Sequence, residues 1–194
     1  QKLSRGMLSY AIYLPLAFPA IVMAFYSFQL LSKGGLLSRL SYQMGLTSQL
    51  AQFPDWVNDQ WGIGIIATHV FMATPFFTIL FWSIFQNEKL DDFQNLAATL
   101  GASTGQIRRR ITIPILLQKA RSTLILYFMF VLGSYEIPLL LGSQSPQMVS
   151  VFTIQKLQRF NLQDIPQAYA ICVLYTVLVL LVLPRLLNTQ SHTP

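Results

Sequence analysis

Four long apolar runs alternate with polar connections along the chain, at about residues 8–31, 61–85, 121–141 and 167–187. Each approaches the roughly 20 predominantly apolar residues that a helix needs to cross a bilayer. The pattern predicts an all-α fold, a polytopic transmembrane helix bundle forming a single domain over residues 1–194. The connection at about residues 86–120 has its own periodicity. Asp91 and Asp92 favour a helix start, where the positive end of the helix dipole stabilises carboxylates, and Phe93, Leu96, Ala97 and Leu100 recur at helical spacing. Gly101 ends that helix, and Ser103 with Gln106 has the spacing of a capping box. A second short helix can therefore begin at once, carrying Ile107 and Ile111 on one face until Pro114 restricts its upstream neighbour. Two short helices joined at a glycine are expected.

The other two connections also carry structure. Residues 32–60 place Leu36, Leu37, Leu40, Leu46 and Leu50 among polar spacers, the pattern of a short interfacial helix, followed by a Phe53-Pro54-Asp55-Trp56 turn. In residues 142–166 the positions Val149, Phe152, Thr153, Leu157 and Phe160 trace a helix face. Pro15, Pro19, Pro75 and Pro138 fall inside apolar runs and predict kinked spans, which membrane helices tolerate because neighbours satisfy the freed carbonyls.

Composition changes the picture from merely helical to membrane-embedded. With 53% hydrophobic and only 10% charged residues and a mean hydropathy of +0.49, no single water-facing core could bury the apolar faces on offer. Charge then sets orientation, because cytoplasmic flanks of membrane proteins are enriched in lysine and arginine. Lys2, Arg5, Lys89, Arg108, Arg109, Arg110, Lys119, Arg121 and Arg185 fall on one side of a four-span arrangement, and only Lys33, Arg39, Lys156 and Arg159 on the other. Both chain ends and the 86–120 loop are thus expected in the cytoplasm. The net charge of +6 is mostly topology, and Arg108-Arg109-Arg110 reads as an orienting, headgroup-contacting or partner-facing run, with no nucleic acid implied.

Catalytic motifs are absent from the sequence. There is no His-Glu-x-x-His, no phosphate-binding loop ending in Lys-Ser or Lys-Thr, and one cysteine, Cys172, within a span. Glu136 is the one carboxylate within a predicted span, and at membrane depth an ionised group is costly unless it faces a cavity or partner. It lines a path for a cationic solute or is a hydrogen-bonded structural carboxylate; Tyr135 beside it contacts the cargo or packs. His69 reads as a hydrogen-bonded helix contact. A secondary transporter working without an ATPase is the rival reading, and it leaves the glycine-jointed loop helices without a role.

The loop resembles the signature of the inner-membrane permease subunits of binding-protein-dependent ABC importers, which runs Glu-Ala-Ala, three residues, Gly, nine residues, Ile-x-Leu-Pro. Gly101, Ile111 and Pro114 fall at the matching spacing, and Ala97, Leu100, Ala102 and Ser103 also agree. Asn95 replaces the glutamate, Leu96 the first alanine and Ile113 the leucine. The stretch from Gly133 to Gly142 is similar to the segment after the signature in the spermidine/putrescine, thiamine and iron branch, and residues 14–19 are similar to the start of that core.

The resemblance implies a bacterial inner-membrane pore subunit, working as a homo- or heterodimer with a second permease, two cytoplasmic ATPase subunits and a solute-binding protein. Chemistry is implied to lie elsewhere: this chain binds no cofactor and is no enzyme, and ATP and magnesium sit on the ATPase. The coupling surface is expected to comprise Asn95, Ala97, Ala98, Leu100, Gly101, Ala102, Ser103, Arg110, Ile111 and Pro114, with no metal site. The family's core commonly has six spans, so a chain opening at Gln1 is expected to lack an earlier pair.

Overall fold

A computed structural model describes residues 13–159 and 161–188, and every regular element in them is helical. Four stretches are long and apolar enough to cross a membrane: Ala20–Gln43, Ile63–Asn87, Thr104–Leu132 and Asp164–Leu181. The described residues group into two compact units, one from the residues up to Met72 together with those from Val131, the other Ala73–Phe130.

In the first unit, helix α1 (Ala20–Leu31) begins directly after Pro19, whose carbonyl accepts from the Val22 and Met23 amides at 3.1 and 3.2 Å. Pro15 opens a 3-10 turn, Leu14–Ala17. Neither proline kinks a helix, contrary to the sequence expectation: each stands at a helix start, where its missing N–H has no partner to lose. Residues 8–12 of the first apolar run lie outside the described residues. The twelve residues of α1 supply about 18 Å of the Ala20–Gln43 stretch, which continues beyond them through a turn into a second helix. The chain then turns at residues 32–35, with the Gly35 amide donating to the Ser32 carbonyl at 2.8 Å. A Cβ on Gly35 would lie 2.6 Å from the Gln29 carbonyl oxygen, so this corner requires glycine.

Helix α2 (Leu36–Gln43) follows, the short helix anticipated between the first two spans. Leu36, Leu40 and Tyr42 remain exposed on it, while Ser38 is buried and donates to the Leu50 carbonyl. Asp59 then prepares helix α3 (Ile63–Asn87): its carboxylate accepts from the Trp61 and Ile63 amides at about 3 Å, satisfying donors left open at a helix start. Ala24, Val57, Ile65, Ile137 and Leu141 form the buried core of this unit, with Ala20, Leu31, Met72 and Leu140 packed against it. The Asn58 amide donates to the Leu141 carbonyl at 2.8 Å. Gly64 allows the Trp56 carbonyl to lie against α3 where any Cβ would collide with it.

The third apolar run is not one helix. Residues 104–132 are continuously helical, the chain breaks at residues 133–135, and helix α7 (Glu136–Leu141) follows. Pro138 gives the reason: continued helically, its ring would meet the carbonyl of Ser134, four residues upstream. That carbonyl instead accepts from Ser150 Oγ at 2.7 Å, and the Leu132 carbonyl accepts from the Tyr175 hydroxyl at 2.9 Å. Helix α8 (Val149–Gln158) packs on helix α9 (Asp164–Asn188), locked by Lys156 Nζ, which lies 3.0 Å from Asp164 Oδ1 and 2.6 Å from Gln167 Oε1.

The second unit contains the later turns of α3, which continue unbroken through Pro75. Helix α4 (Leu90–Thr99), helix α5 (Thr104–Ile107), a π-helical turn (Arg108–Thr112) and helix α6 (Ile113–Leu132) complete the sequence of elements, α6 contributing its residues up to Phe130 here. Phe77 packs edge-on against Tyr127 at 5.2 Å, and Trp82 stacks on Phe85 at 6.0 Å. At the base of the loop Glu88 pairs with Lys119 at 2.8 Å.

Candidate functional site

The loop between α3 and α6 is built around three consecutive residues. Helix α4 carries Asp91 and Asp92 in its first turn, as their charge predicts, and ends through a Schellman motif. The Ala102 amide donates to the Ala97 carbonyl at 3.0 Å and the Gly101 amide to the Ala98 carbonyl at 3.0 Å, which requires a left-handed residue between them. Gly101 supplies it, with φ at +84°. One residue later the next helix starts. Ser103 Oγ accepts from the Gln106 amide at 3.4 Å and Gln106 Oε1 from the Ser103 amide at 2.9 Å, the reciprocal capping box anticipated from spacing. A helix stop and a helix start thus meet with only Ala102 between Gly101 and Ser103.

Beyond this joint the structure departs from the expected second short helix. Helix α5 does not end at Pro114 but runs through the π turn into α6. The Ile113 amide donates to the Arg108 carbonyl, a step of five residues instead of four. A proline one position later would otherwise clash with the carbonyl four residues back, and the wider turn absorbs both the ring and the missing donor. Arg108, Arg109 and Arg110 lie in this turn and all are exposed.

Long-range contacts fix the angle of the joint. Gln94 Nε2 donates to Thr112 Oγ1 at 2.9 Å, bracing α4 against the π turn. Leu90 is fully buried and Ile107 nearly so, at 8% exposure. Nothing local in the sequence announces Leu90 or Gln94, and the Gln94 partner lies 18 positions away.

Asn95, Ala98 and Pro114 are exposed, Ala97 and Ile111 half-buried, and Leu100 stands 81% exposed at the tip. Phe93 and Leu96 on α4 are also at least half exposed, so this helix offers an apolar face that its own unit leaves uncovered. Leu100, Gly101, Ala102, Gln106, Ile107, Arg110 and Ile111 surround a hollow of about 310 Å³. Six of the ten residues expected on the coupling surface therefore lie around one joint: Leu100, Gly101, Ala102, Arg110 and Ile111 line the hollow, and Ser103 caps the helix beside it.

The second pair of candidates, Tyr135 and Glu136, sits at the break between α6 and α7. Glu136 is the first residue of α7 and is exposed; Tyr135 precedes it, half-buried. Irregular backbone at membrane depth is tolerated where protein or a water-filled cavity takes its polar groups, and here Ser150 and Tyr175 take two of the carbonyls. His69 is buried with Nδ1 2.9 Å from the Ile65 carbonyl, the hydrogen-bonded helix contact expected of it.

Residues 1–190 match the family described as the inner membrane component of binding-protein-dependent transport systems. The chain is 27% identical over 191 residues to the thiamine transport system permease protein ThiP of Brucella suis, an alignment covering 98% of this chain and 33% of that protein. ThiP of Brucella abortus matches to the same extent. A probable ABC transporter permease protein, y4fN of Sinorhizobium fredii, is 28% identical over 161 residues, covering 80% of this chain and 26% of that protein. The chain spans about a third of the length of the curated relatives it matches.

Proposed function

Because the chain belongs to the family of inner membrane components of binding-protein-dependent transport systems, we propose that it serves as a permease subunit of an ATP-driven importer, driven through the joint at Gly101 and Ser103. The family is the membrane-embedded, non-catalytic part of such systems, which makes this a multi-pass inner-membrane protein. The observation that carries the proposal is the joint itself. Its two helices are fixed by a Schellman motif, a capping box and the Gln94–Thr112 bond, yet α4 keeps Phe93, Leu96 and Leu100 uncovered. A rigid, apolar-faced helix pair between two spans suits a cleft on a cytoplasmic ATPase, whose closure on ATP and magnesium would pass to the spans as rigid-body rocking.

The remaining partners in this reading are a second permease, as a copy or a homologue, and a solute-binding protein outside the membrane. The cargo is a small cationic or metal-containing solute. The thiamine permeases among the relatives favour thiamine, and polyamines or ferric iron fit the same site chemistry. Tyr135 and Glu136 would line its path, the aromatic ring and the carboxylate both suiting a cation.

The test is co-purification of the tagged full-length subunit from gently solubilised membranes, as wild type and as Gly101→Asp. The wild type should retain an ATPase subunit and the variant should lose it. Absence of any ATPase from the wild-type sample would instead favour a transporter driven by an ion gradient.

A further inference from the structure

The hollow beside the joint combines features that point to a particular ligand chemistry. Its lining mixes apolar side chains, among them Ile107 and Ile111, with one cation, Arg110, and one amide, Gln106. Acidic side chains are absent from its lining. The acids nearest in sequence are otherwise placed: Glu88 is paired with Lys119, and Asp91 and Asp92 belong to the first turn of α4, where the helix dipole stabilises them. A Cβ on Gly101 would meet nothing within 4 Å, so the hollow is open on that side to a group from another molecule.

We propose that this hollow receives an acidic side chain from the cytoplasmic ATPase subunit, its methylenes on Ile107 and Ile111 and its carboxylate on the Arg110 guanidinium. The proposal rests on the coupling reading above and adds what that reading leaves open: the loop receives a side chain as well as offering helix α4, and the charge it contributes is positive. An arginine binds a carboxylate through two parallel N–H donors, which fixes orientation as well as attraction. Arg110 can be held in position for this because the π turn that carries it is braced by Gln94. Arg108, two residues earlier in the same turn and also exposed, does not line the hollow, and it supplies the matched control.

The experiment compares ATPase retained by the tagged full-length subunit as wild type, Arg110→Glu, Arg108→Glu and Arg110→Lys. Both glutamate variants change net charge and membrane-flank charge equally. Arg110→Glu would set two like charges against each other in the interface, so it should lower retention by about tenfold or more. Arg108→Glu should stay within about twofold of wild type, because a rim charge contributes little to the stability of a complex. Arg110→Lys should be intermediate, and reversing one exposed acid of the retained ATPase to lysine should restore binding to Arg110→Glu.

Wild-type retention with an undiminished Arg110→Glu overturns the hollow as a carboxylate site while leaving the coupling reading intact. Equal losses in both glutamate variants overturn it as well, because an arginine outside the hollow would then matter as much as the one lining it. A wild type that retains no ATPase overturns the coupling reading itself.

Discussion

Two glycines illustrate how differently one residue type can be required. Gly101 sits in open space, so only its φ of +84° resists a side chain. Gly101→Ala should cost about 1 kcal/mol, the ordinary penalty for an L-residue in the left-handed region, and Gly101→Asn less. Gly64 has no such strain but faces the Trp56 carbonyl directly, where a Cβ has no room. Gly64→Ala should therefore cost more, about 1–3 kcal/mol, through displaced backbone in a packed core. Thermal unfolding of the solubilised subunit should rank the two variants in that order, and a larger effect at Gly101 would contradict the geometry. Gly101 announced itself in the sequence because a helix stop and a capping box flank it; Gly64 gave no signal, since the carbonyl it admits lies eight residues away across a loop.

At the scale of elements, local chemistry was legible and long-range compensation was not. The start of α4, its end, the capping box of α5 and the helix over Val149–Gln158 all follow from residues within a few positions of each boundary. The continuity of α5 into α6 does not, because Pro114 reads as a stop unless a π turn widens the helix around it. The break after Leu132 is the converse case. An unbroken apolar run hides it, and hydroxyls from α8 and α9 make it tolerable. Lys156 offers a measurable instance of such compensation. Its side chain and that of Asp164 are only 13% and 15% exposed. Asp164→Leu alone should destabilise the α8–α9 pair by about 3 kcal/mol by leaving a cation largely buried, whereas Lys156→Met with Asp164→Leu should recover most of that loss. Protease resistance of the α8–α9 connection across the double-mutant cycle would show it, and equal effects of the single and double changes would refute it.

For the whole molecule, the distribution of basic residues predicts a sidedness that labelling can read. Cys172 is the chain's single cysteine, so after its replacement by alanine a new cysteine at Thr99 or Gln144 reports alone. A membrane-impermeant thiol reagent applied to intact cells should label position 144 and spare 99, with the reverse in inverted vesicles. Labelling of both from one side would undo the four-span arrangement. The joint in the loop also sets a mechanical condition on the assembly. Only Ala102 separates the helix stop from the helix start, so under the coupling proposal little chain is available to absorb a swing of one helix before it reaches the other. In the importer proposed above, one glycine inserted after Ala102 should leave α4 and the capping box of α5 folded but loosen the link between them, so that ATP hydrolysis survives better than cargo movement: an engine turning with its clutch slipping.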